Sequence, residues 1–449
     1  MVRLLQFLAL ALASLALMTR PALAQQILRD AETEAFMADM SAPLVKAAGM
    51  APNNVQVLVI NDPEINAFVA GGQYVWVHSG LIAQADNVNQ LQGVVAHELG
   101  HIEGGHIIRS GEGIKDATSV TLLSLVLGAA AIAAGGAEAG MGIMGLGQQA
   151  AMSRFLAFSR AQESSADLAG ARYLHTAGIS GRGSLEFFKK LQNQEYRLAI
   201  PQDNSYGRTH PLSGERINVL REVYAVDPAW DKPIDPQLEA RFERIKAKLI
   251  GFVSEPQQTL IKYPESDQSL PAHYARAYAW HKSAYPQKAL AEADALLAAE
   301  PHDPYFLELK GQILLESGRP ADAVAPLREA VRRTNQPLIS VLLAHALIAT
   351  EDPANFAEAE QVLRVAVQRD RENPFAWYQL GVVYERRGDT PRAALATAER
   401  YAMMGDHNLA LRSADVAVQG LQPGTVDYLR AQDIAMTSRA AVEQQRKKR

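Results

Sequence analysis

The chain of 449 residues contains no cysteine. Structural disulfides, thiolate metal sites, a cysteine nucleophile and a lipid-modified N-terminal cysteine are therefore excluded. An excess of positive charge is also missing: the formal net charge at pH 7 is -5, so nucleic acid is not an expected partner. Hydrophobic residues make up 48% and charged residues 21% of the chain, which is typical of a folded, soluble protein.

The first 24 residues are predicted to be a secretory signal peptide. Arg3 precedes an apolar run from Leu4 to Met18, and the small residues Ala22 and Ala24 surround Leu23 at a suitable cleavage site. An uncleaved membrane anchor is the alternative, but the run is shorter than the ~20 residues that a span needs. We therefore expect cleavage near Ala24 and a mature chain that lies outside the cytoplasm.

Residues 25–255 are predicted to form one α+β domain, mainly helical with a small sheet. The run Val55 to Ile60 is rich in β-branched residues, and Gly71-Gly72 separates two strand-like segments, which indicates a hairpin. From Asp86 to His106 the apolar residues recur with a period close to 3.6, which predicts a largely buried helix.

Residues 118–148 allow three interpretations. Thr118 to Ala134 is uncharged and rich in alanine and leucine, and a stretch rich in glycine and methionine comes after it. The segment could be a buried helical hairpin beside the active site, an interfacial segment in peripheral contact with a bilayer or a greasy substrate, or a transmembrane span.

Residues 256–266 are predicted to be a linker, and residues 267–449 an all-α repeat domain. Prolines at 271, 304, 337 and 374 recur at intervals of 33, 33 and 37 residues. A period near 34, with small residues inside and a proline at the end of each helix pair, is the tetratricopeptide signature. Such units stack into a solenoid that binds partners. An unrelated helical bundle is the alternative.

The motif His97-Glu98-Leu99-Gly100-His101 carries the predicted chemistry. Its two histidines are four residues apart, so a helix places both imidazoles on one face, and Glu98 can act as the general base. The flanking residues are mostly apolar. Polar groups buried there without partners would cost several kcal/mol, and a bound metal ion removes that cost.

A third ligand must come from elsewhere in the chain. The metzincin pattern requires a histidine at position 107, but that residue is Ile107. Because His106 lies one position too early, we reject that pattern. Glu163 and Asp167 are one helical turn apart on a later predicted helix. One of these carboxylates can bind the metal while the other holds the free N–H of a ligand histidine.

These motifs resemble one family. The His97 to His101 run, the segment Ser159 to Asp167, and the segment Thr209 to Ile217 are similar to the gluzincin peptidases, the family of HtpX and the CAAX prenyl endopeptidases. Secretion and the C-terminal repeats resemble a periplasmic branch of that family that serves outer-membrane protein assembly. The resemblance implies an α+β gluzincin metallopeptidase domain followed by an all-α tetratricopeptide solenoid.

Residue by residue, the resemblance implies that one Zn²⁺ per chain is held by His97, His101 and Glu163, with Glu98 as the catalytic base. Asp167 would support a ligand. Asn66, Ala67 and Phe68 would lie on an edge strand that a substrate strand extends. His210 would either cap the metal as a fourth, autoinhibitory ligand or act catalytically on the transition-state oxyanion; a solvated loop histidine is the alternative.

The expected function is zinc-dependent cleavage of unfolded or misassembled proteins in the periplasm, together with a chaperone role. The repeats would hold the outer-membrane protein assembly machinery. A second hypothesis is a mainly non-proteolytic assembly factor that binds its partners through the repeats. A third is a membrane-embedded protease built on residues 118–134.

Overall fold

The structure is a computed structural model that describes residues 26–52, 54–133, 137–198, 210 and 214–447. The predicted signal peptide, residues 1–24, lies outside the described residues. Four strands form one sheet: β1 (Ile27–Leu28), β2 (Gln56–Ile60), β3 (Ala67–Ala70) and β4 (Tyr74–His78). Their order is β1-β2-β4-β3, with β2 and β4 parallel and the two outer pairs antiparallel.

The predicted hairpin is the β3–β4 pair, with Ala67 opposite Val77. Its turn contains Gly71 and Gly72, whose φ angles of 68° and 97° lie in the left-handed region that glycine adopts without strain. Because side chains alternate along a strand, Val75 and Val77 both enter the core. This hairpin leaves β3 at the edge of the described sheet.

Helices form most of the N-terminal half, as predicted. The helices are α1 (Ala31–Ala47), α2 (Ser79–Gln84), α3 (Val88–Glu103), α4 (His106–Ala133), α5 (Ala137–Ala177), α6 (Arg182–Leu198), α7 (Gly214–Ala225) and α8 (Pro236–Val253). The central helix, α3, is buried along nearly its whole length. It begins at the N-cap Asn87, whose side chain accepts a hydrogen bond from Gln90 N.

Two glycines let neighbouring helices approach α3 closely. A Cβ atom at Gly93 would lie 2.6 Å from Ser184 of α6, and one at Gly100 would lie 2.6 Å from the carbonyl oxygen of Ala166 of α5. Both distances are shorter than van der Waals contact, so only glycine fits at these crossings. The crossings bring the later helices α5 and α6 against the histidine motif.

Helices α4 and α5 form a long antiparallel hairpin, and the interpretation of this segment as buried is wrong. Leu123 and Val126 are 61% and 66% exposed, and Leu146 on the other arm is 69% exposed. Among the described residues, the stretch His106–Ala131 is long and apolar enough to cross a membrane, and only 11% of its most apolar window is buried. The hairpin therefore projects apolar side chains away from the core.

The C-terminal half is a succession of paired helices. The short helix α9 (Pro256–Lys262) lies in the predicted linker, and the repeat helices are α10 (Leu270–Lys282), α11 (Pro286–Ala299), α12 (Pro304–Glu316), α13 (Pro320–Thr334), α14 (Pro337–Ala349), α15 (Phe356–Arg369), α16 (Pro374–Arg386), α17 (Thr390–Met403), α18 (His407–Gly420) and α19 (Val426–Lys447). The recurrent prolines start helices rather than ending them. Proline suits a helix start because its missing N–H needs no partner there.

A buried charge network joins the two halves. Glu32 of α1 accepts hydrogen bonds from Arg244, from Lys248 at 3.2 Å and from the Tyr274 hydroxyl at 2.6 Å. Arg244 also donates to Asp303 at 2.9 Å. Since Tyr274 and Asp303 belong to the repeat half, the N-terminal helix is tied to the solenoid by groups that are costly to separate.

Candidate metal centre

The central helix presents the motif as its spacing predicts. His97 and His101 lie one turn apart on α3, and their Nε2 atoms are 3.1 Å from each other. Both imidazoles are buried. A cation between the two rings would be within reach of the Nε2 lone pair of each imidazole once that nitrogen carries no proton.

Glu163 reaches the same position from α5. Its carboxylate oxygens lie 3.5 Å from His97 Nε2 and 3.4 Å from His101 Nε2. Glu163 is far from the histidines in sequence, and the close crossing at Gly100 brings it there. The sequence-predicted ligand trio is therefore gathered at one point, whereas Asp167 lies beside it and not in it.

His210 completes a compact cluster. Its Nδ1 lies 3.3 Å from His97 Nε2 and 3.2 Å from both carboxylate oxygens of Glu163. One atom from each of these four side chains lies within 4.8 Å of every other. A tetrahedron with ligand bonds of about 2.0–2.1 Å has edges of about 3.4 Å, so the spacing of these atoms suits a tetrahedral cation. The rest of the predicted loop, residues 204–209 and 211, lies outside the described residues.

Glu98 points toward the cluster without a hydrogen bond. Neither of its carboxylate oxygens has a hydrogen-bond partner among the described residues, and the side chain is fully buried. His210 Nε2 lies 3.5 Å from Glu98 Oε1, which is an ion-pair distance. Burial raises the pKa of the Glu98 carboxyl. A buried carboxylate in this state is suited to accept a proton.

Asp167 and Arg216 surround the ligands. Asp167 Oδ1 lies 2.9 Å from Nδ1 of His97, the ring nitrogen that faces away from the cluster. Arg216 donates two hydrogen bonds to Asp167, at 2.6 and 2.8 Å, and its Nη1 lies 3.1 Å from Glu163 Oε2. Burial raises the pKa of Asp167, but hydrogen bonds from Arg216 and His97 outweigh burial and lower it. Arg216 thus stabilises the ionised form of Asp167 and also lies within ion-pair distance of Glu163.

Arg216 is the residue that sequence reasoning missed. It lies inside the segment Thr209 to Ile217 that carries the family resemblance, but no role was predicted for it. An arginine that is only 5% exposed needs anionic partners. The available sequence signal for a role of Arg216 was its position inside the segment that resembles the family.

The side chains favour a cation between them. Burial lowers the pKa of His97, yet the Asp167 and Glu163 carboxylates outweigh burial and raise it to about 10. Burial, together with the neighbouring His97, lowers the pKa of His101 to about 2. Two imidazole nitrogens and a carboxylate are a common donor set for a catalytic divalent ion. The donors, their spacing and the carboxylate field therefore fit a metal ion.

The edge strand that is proposed to pair with a substrate lies next to this cluster. Ala67 and Phe68 belong to the edge strand β3, and Asn66 directly precedes it. His78 N donates to Asn66 O, so Asn66 pairs toward β4. In an antiparallel ladder the next residue points its backbone groups the other way, so Ala67 O faces the free edge. His210 Nε2 lies 3.3 Å from that oxygen.

Comparisons with known proteins follow the same division of the chain. Residues 28–224 match the model of peptidase family M48, and residues 285–336 and 343–408 match a tetratricopeptide repeat model. The chain is 25% identical over 394 residues to the beta-barrel assembly-enhancing protease of Escherichia coli (strain K12), a match that covers 86% of this chain and 79% of that protein.

Two further relatives are also named as proteases. The beta-barrel assembly-enhancing protease of Yersinia pestis is 24% identical over 380 residues, with 83% of this chain and 76% of that protein covered. Metalloprotease LoiP of Escherichia coli (strain K12) is 30% identical over 176 residues, with 39% of this chain and 64% of that protein covered.

Replacing Arg216 tests the carboxylate arrangement. Arg216→Leu leaves Asp167 and Glu163 buried without their cation, so we expect the free energy of unfolding of the metal-free protein to fall by about 3–5 kcal/mol. Urea unfolding monitored by circular dichroism measures this loss. Arg172→Leu is the control, because it removes an exposed arginine in an ion pair with Glu103, and such pairs contribute about 1 kcal/mol or less. Equal losses in the two variants would contradict the assigned role of Arg216.

Proposed function

We propose that this chain, a metalloendopeptidase with an M48 peptidase domain followed by tetratricopeptide repeats, holds one zinc ion with His97, His101 and Glu163 and cleaves unfolded or misassembled proteins in the periplasm. The family match confirms the predicted enzyme class and the order of the two folds, and it implies a metal cofactor. The observation that carries the proposal is the meeting of three ligand side chains beside the buried Glu98, whose carboxylate has no hydrogen-bond partner in the part of the chain that the structure describes.

The identity of the metal rests on the donor set. Imidazole nitrogen and carboxylate oxygen at tetrahedral spacing suit zinc. Because the chain has no cysteine, it offers no thiolate ligand for a softer metal ion. His97, His101 and Glu163 would hold a divalent ion, which when bound would supply a water of lowered pKa, toward ~7, and polarisation of the scissile carbonyl. Asp167 orients His97 through its second nitrogen, and Arg216 holds Asp167 in place.

Glu98 is the proposed general base. Its carboxylate takes a proton from the attacking water and delivers it to the nitrogen of the leaving amine. Because burial raises the pKa of Glu98, the carboxylate is a stronger base than an exposed glutamate. The absence of competing hydrogen bonds among the described residues leaves both oxygens available for this transfer.

His210 is proposed to hold the enzyme in a resting state. Its Nδ1 sits where a fourth ligand belongs, and its Nε2 lies against the Ala67 carbonyl. A substrate strand that extends β3 needs that same carbonyl as a hydrogen-bond acceptor. One side chain therefore opposes both substrate pairing and an open metal position. The oxyanion role stays the alternative for this residue.

A role in outer-membrane protein assembly is supported by the relatives that share both domains. We propose that the repeats bind the assembly machinery. Phe375 and Tyr378 on α16 are each 45% exposed and stack with ring centroids 6.2 Å apart, which suits contact with another protein. A resting state in which His210 is a fourth ligand would be consistent with the second hypothesis, in which binding is the main activity and cleavage is occasional.

We also propose that the α4–α5 hairpin touches a membrane from the periplasmic side. Ser124 of α4 lies against Gly147 of α5, which places Asp116 near the level of Arg154. Between this level and the tip of the hairpin, Glu138 is the only charged residue in the sequence of the two arms. Residues 117–133 extend for about 25 Å as a helix, close to the ~30 Å of bilayer hydrocarbon.

The exposed side chains of α4 favour lipid over a protein surface. Leu122, Leu123, Leu125, Val126 and Leu127 are all at least 45% exposed. Near-consecutive residues of a helix point in different directions, so a protein partner on one face would leave several of them in water. A surrounding apolar medium covers all of them.

Substitution of the base separates catalysis from metal binding. Glu98→Gln should lower casein cleavage by about 10²–10⁴-fold while metal content is retained, because an amide cannot accept the proton. His97→Ala should lose both metal and activity. Glu112→Gln, at an exposed glutamate on α4, is the control. Outer-membrane protein assembly that survives in Glu98→Gln would favour the binding hypothesis, and undiminished cleavage would refute the role of Glu98.

Removal of the fourth side chain tests the resting state. His210→Ala should raise basal casein cleavage by about tenfold, the gain expected when a closed state favoured tenfold is abolished. Metal content should stay unchanged because three ligands remain. His175→Ala, at an exposed histidine on α5, should have no effect. A fall in activity would instead support the oxyanion role.

Vesicle flotation tests membrane contact. The protein should float with phosphatidylethanolamine–phosphatidylglycerol vesicles, and Leu123→Asp with Val126→Asp should weaken binding at least a hundredfold, since each charge costs about 2.5–3.5 kcal/mol in the bilayer core. The matched control places Asp at Ile261 and Val426, two exposed apolar residues outside the hairpin. Equal flotation of both double variants would contradict the proposal, and failure of the wild type to float would do the same.

A further inference from the structure

His106 contacts a metal ligand without joining the ligand cluster. It is the first residue of α4 and is only 6% exposed. Its Nδ1 lies 2.9 Å from Nδ1 of His101, the ring nitrogen that does not face the cluster. The two rings meet edge to face, with centroids 4.9 Å apart and an interplanar angle of 78°. The sequence pattern offered His106 only as a misplaced third ligand, and the structure gives it a different neighbour.

A hydrogen bond between two Nδ1 atoms requires one proton, which can sit on either ring. If the proton is on His106, the neutral ring of His101 carries its own proton on Nε2 and has no lone pair there for a metal ion. If the proton is on His101 Nδ1, then Nε2 of His101 is free to bind. Only the second arrangement is compatible with the ligand role of His101.

We propose that His106 is a positioning residue that accepts the Nδ1–H of His101. The bond fixes the tautomer of His101 and the orientation of its ring, so that Nε2 faces Glu163 and His97. This inference rests on the metal site of the proposed function. It assigns to His101 a supporting acceptor, as Asp167 is for His97, but here the acceptor is a neutral imidazole.

The turn between α3 and α4 is built to bring His106 back over His101. Gly104 ends α3, and Gly105 follows with φ of 60°, which lies in the left-handed region. A Cβ atom at position 104 would lie 2.3 Å from His106 Nε2 and 2.7 Å from its Cδ2. The ring therefore occupies the space that any other residue at 104 would fill. Gly104 has an ordinary helical φ of -68°, so its absent side chain matters for the ring and not for the backbone.

The test compares two nearly isosteric variants of the full chain. Asn places a carbonyl oxygen near the position of the histidine Nδ1, whereas Leu has the same shape without an acceptor. The dissociation constant for Co²⁺ is measured from the visible absorption of the complex, and that for Zn²⁺ by competition with a chelator. His106→Leu should weaken metal binding by about 10–100-fold. His106→Asn should restore most of the affinity and the wild-type Co²⁺ spectrum.

A second substitution reaches the same bond from the backbone. Gly104→Ala should displace the His106 ring and weaken metal binding, but it should add little in the His106→Leu background, because the bond is already lost there. Unfolding of the metal-free variants by urea should be similar for His106→Leu and His106→Asn, which keeps a loss of metal affinity distinct from a loss of fold.

The outcomes separate this inference from the metal site itself. Wild-type affinity in His106→Leu, or an equal loss in the Leu and Asn variants, overturns the positioning role while the site stands. Equal metal binding by the wild type and His97→Ala overturns the site and the inference together. A graded order of wild type, Asn and then Leu supports both.

Discussion

The site depends on the close crossing of helices α3 and α5. Gly100 of α3 faces Ala166, and Gly170 of α5 faces the backbone of Ala96 and His97, with Cβ positions that would come within 2.6 to 3.1 Å of the opposing chain. Without side chains at these two points the helix axes approach far enough for Glu163 to reach both histidines. A larger residue at either point would separate the carboxylate from the imidazoles.

Burial then gives the polar groups of this crossing their properties. His97, Glu98, Glu163, Asp167 and Arg216 are all nearly inaccessible to solvent, so each ionised group needs a partner. Arg216 forms ion pairs with Asp167 and Glu163. The same two carboxylates also lie close to the His97 ring. Neither carboxylate oxygen of Glu98 has a hydrogen-bond partner among the described residues. The cost of burying it is consistent with a group kept for chemistry and not for stability.

Three parts of the structure connect this centre to its surroundings. The edge strand β3 offers its backbone to an extended chain, and His210 contacts both that strand and the ligand cluster. The hairpin of α4 and α5 begins at His106 and ends in the helix that carries Glu163, so the apolar projection and the ligands share continuous helices. The network around Glu32 attaches the repeats to the same domain. The proposed substrate edge, the proposed membrane hairpin and the repeats are therefore all connected to the ligand cluster through continuous helices or buried contacts.

Local sequence patterns determined much of this protein. The four-residue spacing of His97 and His101 specifies one helical face, Gly71-Gly72 specifies a turn, and the recurrent prolines specify repeated helix starts, because each of these depends on neighbouring residues alone. The match of the two families confirms the fold class predicted from them. The helical spacing of Glu163 and Asp167 suggested that one of them is a ligand, but the choice of Glu163 and the role of His210 came from the family resemblance, since spacing cannot place residues 47 apart beside each other.

Only the tertiary structure decided the remaining features. Arg216 contacts Asp167 and Glu163 from an element that is distant in the sequence. The contact of His106 with His101 depends on a turn that contains glycine. The outward exposure of the α4–α5 hairpin depends on how the hairpin leaves the core. Sequence periodicity measures which face of a helix is apolar, but residues 117–133 of α4 are uncharged on every side, so their pattern could not distinguish a core from a surface. Helix packing sets the contacts of Arg216 and the exposure of the hairpin, whereas the turn at Gly104 and Gly105 sets the contact of His106 with His101.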